Sequence, residues 1–223
     1  ASDVYKRQPL TLLWPTPGTE EGFDMSRRAT VSIRVDDGLV LRPASPSVLT
    51  ELQEAFEETL PEVSRAMPWI DMERDLRQQI LSFLDETQRM GRSGLLHHWV
   101  MTDPRSEHIM GLIGFDRVTR STKSDWNLGY WVRSLNQKYG VAKRSIRAVL
   151  EWLGRGNKIV VELKVDPHNL PGLSTVKHAV REWGGTREPD GDSAITVAGL
   201  RTMHHCYLIE IGDRGSPDMS YRQ

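Results

Sequence analysis

Cysteine is almost absent from this chain: only Cys206 occurs among 223 residues. No intramolecular disulfide can therefore staple the fold, and no cysteine cluster can hold zinc. A reducing, cytoplasmic setting is the expectation. Long apolar runs are missing too. No stretch approaches the roughly 18 residues of a membrane span, and PLTLLW at Pro9–Trp14 is too short for the core of a signal peptide. Neither a membrane partner nor secretion is expected. Charge of one sign is also lacking. With 29 basic against 30 acidic residues, the overall field does not draw a polyanion, so nucleic acid is not an expected partner. No internal repeat is visible.

What is present is enough to bury a core: 38% of the residues are hydrophobic, and the length favours one domain with extensions. Residues 1–28 read as an irregular N-terminal extension, 29–211 as the folded domain and 212–223 as a polar tail. Within the domain, TVSIRV and LVLRP flank Asp36-Asp37-Gly38, a hairpin signal that predicts two strands over 30–43. Ser45-Pro46 opens a helix to about residue 59, with Leu49, Leu52, Phe56 and Leu60 at helical spacing. DMERDLRQQILSFLDETQRMG predicts a second helix ending at Gly91. Strands follow at 95–102, 108–118 and 126–132, then a helix after residue 138, the strand KIVVELKV, a helix from about Leu173 to Trp183, and the strands SAITVAGL and HHCYLIEI. The order β-β-α-α-β-β-β-α-β-α-β-β predicts an α/β (α+β) fold with a mixed, mostly antiparallel sheet and helices on its faces.

The stretch from Val132 into Gln137-Lys-Tyr-Gly-Val-Ala142 carries the clearest chemical signal. A strand leaves the sheet there and a helix begins, so the first amides of that helix have no carbonyl partner within it. Those amides and the aligned peptide dipoles attract an anion such as a phosphate, and Gly140 with the small Ala142 allows close approach to the backbone. Lys138, Lys143, Arg144 and Arg147 can add positive charge around it. The same residues also make an ordinary strand-to-helix bend with a solvated basic face.

Together with other segments, this corner resembles the GCN5-related N-acetyltransferases (GNAT), in particular the RimJ/RimL-like ribosomal-protein-alanine acetyltransferase group. LGYWV followed by QKYGVA looks like the acetyl-CoA signature, with Gln137, Gly140 and Ala142 at its fixed positions. MGLIGF resembles the third strand of that family, MPWI at Met67–Ile70 its substrate segment, and VDPHN its fifth-strand ending. The resemblance covers about residues 38 to 211. It implies a GNAT-like sheet whose two central strands splay apart, with acetyl-CoA (coenzyme A) as co-substrate between them and a homodimer as one assembly. By position, the Val132 amide meets the thioester or pantetheine. Gln137 and the amides of Lys138, Tyr139, Gly140, Val141 and Ala142, with Lys143, meet the pyrophosphate, and Asn169 touches cofactor or orients the reacting groups. Lys138 stands where the family more often has glycine. The segment from Asn169 to Gly184 is about four residues longer than usual, and Gly185 replaces a phenylalanine.

The implied reaction moves an acetyl group to a primary amine on a protein N-terminus, amino acid, polyamine, or amine-bearing antibiotic or toxin, by direct transfer in a ternary complex. A coenzyme-binding module without turnover is the alternative. Acetyl transfer needs a base, an oxyanion donor and a proton for the thiolate. Many family members carry a glutamate on the fourth strand, where this chain has Asn127, a substrate-side residue. GGTRE resembles the Gly-Phe-x-x-Glu ending of the RimL group and makes Glu188 the first base candidate, with Asp116 and Asp125 in reserve. No tyrosine lies between residues 140 and 206, which leaves Ser174 as the acid, although it reads equally well as a helix cap. Trp69, in a loop, is assigned to the acceptor pocket. Tyr130, Trp131 and Cys206 read as packing residues. His97-His98 and His204-His205 are adjacent in strands and point to opposite faces, so no metal site is expected.

Overall fold

The Asp37-Gly38 turn joins β1 (Ile33–Asp36) to β2 (Leu39–Pro43), with the Asp36 carboxylate accepting the Gly38 amide at 2.8 Å. These strands belong to the computed structural model, which describes residues 29–67, 69–118, 123–155, 158–197 and 200–212. The expected extension over 1–28 and the tail beyond Gly212 lie outside the described residues. After a short 3₁₀ turn at Pro46–Val48 come α1 (Leu49–Glu58), which ends where the expected helix ends, and a separate α2 (Leu60–Ala66), which was not expected. The break falls at Thr59, whose hydroxyl donates back to the Ala55 carbonyl at 2.9 Å, and Pro61 has no amide hydrogen with which to continue the α1 ladder.

The next helix, α3 (Leu76–Arg92), starts at Leu76, the first residue of its apolar pattern. Asp75 caps it by accepting the Gln78 amide at 2.7 Å, a strong N-cap that fixes the boundary. Its end differs from expectation. Gly91 lies inside the helix, and the left-handed glycine is Gly94 at φ 66°, followed by Leu95 donating to the Met90 carbonyl.

The remaining elements are β3 (Leu96–Thr102), β4 (Ile109–Arg117), β5 (Trp126–Val132), α4 (Val141–Leu153), β6 (Ile159–Val165), α5 (Leu170–Glu182), β7 (Thr186–Arg187), β8 (Ser193–Val197) and β9 (Leu200–Ile211). The sheet order is β1-β2-β3-β4-β5-β6-β9-β7, with β8 paired to β9. The two-residue β7 was not foreseen. All pairings are antiparallel except β5 with β6.

Strand alternation sends side chains to two cores. On the first face, Trp99, Phe115, Leu128, Val161, Leu163 and Ile209 pack beneath α4 and α5. On the second, Val100, Leu112 and Trp131 pack beneath α1, α2 and α3. No described helix is long and apolar enough to cross a membrane.

Candidate active site

The parallel pair at the centre of the sheet is short. β5 and β6 each have seven residues, yet they are in register only at Trp126↔Val161 and Asn127↔Glu162. Beyond the Asn127↔Glu162 pair the ladder between them stops and leaves a gap along the rest of β5. Arg133 donates to the Met110 carbonyl at 2.8 Å, so residue alternation turns the amides of Val132 and Tyr130 away from β4 and into that gap. The gap and the Val132 amide therefore occur together in the structure.

At the mouth of the gap the chain turns into α4. Gln137 folds its side chain back, and its Nε2 donates to the Val132 carbonyl at 3.1 Å, which pins the end of β5. Lys138 and Gly140 both have left-handed backbone, at φ 67° and 73°. A side chain at Gly140 would meet nothing within 4 Å, so space stands open above it. The first helical hydrogen bond of α4 is donated by Arg144 to the Gly140 carbonyl at 3.1 Å, and the amides of residues 138–143 precede it. Val141 is buried and Ala142 packs on the same core, while Tyr139 is exposed.

The cations divide into two groups. Arg144 is held by Asp36 at 2.5 Å and Arg147 by Glu182, so the positive charge expected of them is already engaged by β1 and α5. Among the described residues, Lys138 and Lys143 make no ion pair.

Across the gap, Asn169 caps α5, its Oδ1 accepting the Gly172 amide at 3.0 Å. This cap starts the helix at Leu170, three residues before the expected Leu173, and it shows that Ser174 is no cap: it is exposed inside the helix. Tyr130 reaches over from β5 to the same first turn, its hydroxyl 3.5 Å from the Gly172 carbonyl. Burial pushes the Tyr130 phenol up to about 12.

The second face of the gap carries the remaining candidates. Trp69 stacks on Phe83 with ring centres 4.7 Å apart and touches Phe56, which meets Trp131 of β5 edge-on at 5.1 Å. This aromatic ladder fixes the half-buried Trp69 relative to β5. Arg187 lies over the Tyr207 ring of the first-face core, so alternation sends Glu188 to the second face. There Glu188 meets Lys123 at 3.0 Å. Asp125 accepts the Val160 amide at 2.9 Å and serves to tie the loop before β5 to β6. Asp116 lies 3.4 Å from His98 Nε2.

One carboxylate escaped the sequence reading. Glu162, buried on β6 beside Asn127 in register, accepts from Ser124 Oγ at 2.9 Å and lies 3.3 Å from Lys164. Its signal was alternation in KIVVELKV, which puts Glu162 and Lys164 on the side opposite Ile159, Val161, Leu163 and Val165, though burial of that side was not readable. Neighbouring Cys206 is buried as expected, and burial, aided by the charge of Glu162, pushes its thiol up to about 11. Among the described residues no group of three or more His, Cys, Asp or Glu is gathered to hold a metal.

A sheet split between two parallel strands, with a helix start at the mouth of the split, is the architecture of the GNAT acyltransferases. The chain belongs to that family: residues 38–179 match the acetyltransferase (GNAT) domain. Among solved structures it is similar to RimL, a ribosomal L7/L12 alpha-N-protein acetyltransferase in complex with coenzyme A. The identity is 16% over 81% of this chain and 98% of that one, with a TM-score of 0.69. It is also similar to the ribosomal-protein-S5-alanine acetyltransferase of Vibrio fischeri, at 15% identity over 84% of this chain and 100% of that one, TM-score 0.66. A third likeness is to the microcin C7 self-immunity acetyltransferase MccE in complex with acetyl-CoA and AMP, at 18% identity over 84% and 100%, TM-score 0.67. No curated protein sequence matches.

Proposed function

We propose that this chain binds acetyl-CoA in the gap between β5 and β6 and transfers the acetyl group directly to a primary amine presented on the second face. The observation that carries this reading is the gap itself: amides of Val132 and Tyr130 face it, and the open start of α4 stands at its mouth. The pantetheine arm would lie along β5 as a strand does, with the pyrophosphate on the amides of residues 138–142 and the ammonium groups of Lys138 and Lys143 close by. The amine nitrogen attacks the thioester carbon, a gap-facing amide receives the oxyanion, the C–S bond breaks, and a carboxylate takes the amine's proton. Direct transfer is supported by Cys206, the chain's sole cysteine: a thiol pushed up to about 11 supplies almost no thiolate at neutral pH for a covalent intermediate.

The test is binding first. Acetyl-CoA at a hundredfold excess over Kd should stabilise the fold by about 2.7 kcal/mol, read as a rise in Tm, and Gly140→Asp should abolish the rise by placing a charged side chain where the pyrophosphate approaches. An unshifted wild-type Tm at millimolar acetyl-CoA removes this reading. Acetyl release on a panel of amines, including an alanine-initiated peptide and spermidine, then identifies the acceptor.

A further inference from the structure

On the reading that the gap holds acetyl-CoA, we infer that the Tyr130 hydroxyl is the hydrogen-bond donor that receives the departing sulfur. Four observations converge on it. Tyr130 stands on the part of β5 that β4 pairs and β6 does not, two residues before Val132, so its backbone amide and its side chain belong to the same wall of the gap. Its ring packs on the first-face core, and its hydroxyl crosses to the first turn of α5, 3.5 Å from the Gly172 carbonyl. That turn is set by the Asn169 cap, since a side chain at Gly172 would strike Asn169 at 2.7 Å. Ser174, the residue expected to serve the sulfur from α5, is exposed on that helix. A phenol delivered from β5 thus reaches the turn from which a helix-borne hydroxyl was expected to act.

The acidity of the group decides between two roles. A phenol near 12 is fully protonated at neutral pH and is a weaker acid than a thiol, whose ordinary value is near 8.5. Complete proton transfer to the sulfur is therefore uphill by about three powers of ten, whereas hydrogen-bond donation to a developing thiolate costs no transfer. As the amine nitrogen bonds to the carbonyl carbon, the C–S electron pair moves onto sulfur, and the Tyr130 O–H turns from α5 to meet it. The proton lost by the amine passes to a second-face carboxylate and reaches the thiolate through solvent, so the tyrosine ends the cycle unchanged.

The experiment compares wild type with Tyr130→Phe, using coenzyme A, acetyl-CoA and n-butylamine as probes. The ultraviolet absorbance of bound coenzyme A thiolate is titrated with pH. Loss of a donor to the thiolate should raise the bound-thiol midpoint by about one pH unit, leave the acetyl-CoA Kd within about twofold, and slow thiol release in n-butylamine by about 10- to 100-fold. An unchanged midpoint with acetyl-CoA still bound overturns the assignment, as does a variant that loses acetyl-CoA binding altogether, which would mark Tyr130 as a packing residue. Should Tyr130→Phe not fold, 3-fluorotyrosine at position 130 keeps the ring and makes the phenol a stronger donor. The midpoint should then fall below that of wild type, and an unmoved midpoint overturns the assignment. Wild type that binds no acetyl-CoA overturns instead the reading on which this one rests.

Discussion

Lys138 occupies a backbone conformation that suits glycine. A left-handed residue with a side chain costs about 1–2 kcal/mol, while glycine gives back about 0.5–1 kcal/mol through the greater freedom of its unfolded chain. The difference favours glycine, so Lys138→Gly should stabilise the apo protein by about 0.5 kcal/mol in urea denaturation. The same change removes an exposed ammonium from the α4 corner and should weaken acetyl-CoA binding severalfold, measured by calorimetry. Lysine at this position exchanges stability for charge; equal or better cofactor affinity in the variant would refute that account. The carboxylates differ in a comparable way. Glu188 is 3.0 Å from Lys123 and partly open to solvent, whereas Glu162 is buried beside Asn127. If Glu188 accepts the amine's proton, Glu188→Gln should lower kcat by about 10² to 10⁴, most strongly below the pKa of the acceptor amine, and leave acetyl-CoA affinity intact. Wild-type kcat/KM across that range would eliminate it, and the parallel Glu162→Gln profile would then assign the role. The sequence displayed Glu188 through its GGTRE setting, but nothing in it distinguished a buried glutamate on β6 from a solvated one.

Elements with local punctuation were legible. Asp37-Gly38 made the β1–β2 hairpin, and apolar alternation made β3 to β6. Gly140 marked the entry into α4. Elements whose limits depend on a side chain bonding back to the backbone were not. Thr59 stands before α2, which was not expected, and Asn169 drew α5 three residues forward. Each is a polar residue that competes for backbone groups, and a periodicity count does not register it. The α5 cap is the one with chemical consequences. Asn169→Ala should cost about 1 kcal/mol in stability, and Asn169→Asp should retain most of it. An alanine variant as stable as wild type would mean that the cap contributes nothing. Trp69 belongs to this scale too, since it hangs between α2 and α3 on the ladder of Phe83, Phe56 and Trp131. Trp69→Ala should raise the acceptor KM while acetyl-CoA affinity stays nearly constant, and equal losses for both substrates would show that it is only core.

Across the whole molecule, the β1–β2 hairpin is joined to α4 by Asp36 and Arg144. Burial alone would raise the Asp36 carboxyl, but the Arg144 guanidinium and the Gly38 amide outweigh it and hold the carboxyl below its usual range. The unfolded chain therefore binds this proton more readily than the folded one. The contribution is complete above the unfolded value near 4 and is lost as pH falls through the folded value. Asp36→Asn should flatten that part of the acid limb in a plot of stability against pH, whereas an identical limb would place the acid sensitivity elsewhere. A larger division was implied by the family resemblance and not by the strand patterns themselves, which do not specify how far two strands stay together. Only two register pairs join β5 to β6, so the sheet is two half-sheets meeting at a short seam, with α4 as the crossover between them. The first-face core beneath α4 and α5 spans both halves, and a molecule seated in the gap would act as a splint across the joint. Hydrogen exchange would record this directly: the amides of Val132 and Tyr130 should exchange early in the free protein and slow together once acetyl-CoA is bound, while the β4-paired amide of Arg133 stays protected in both states.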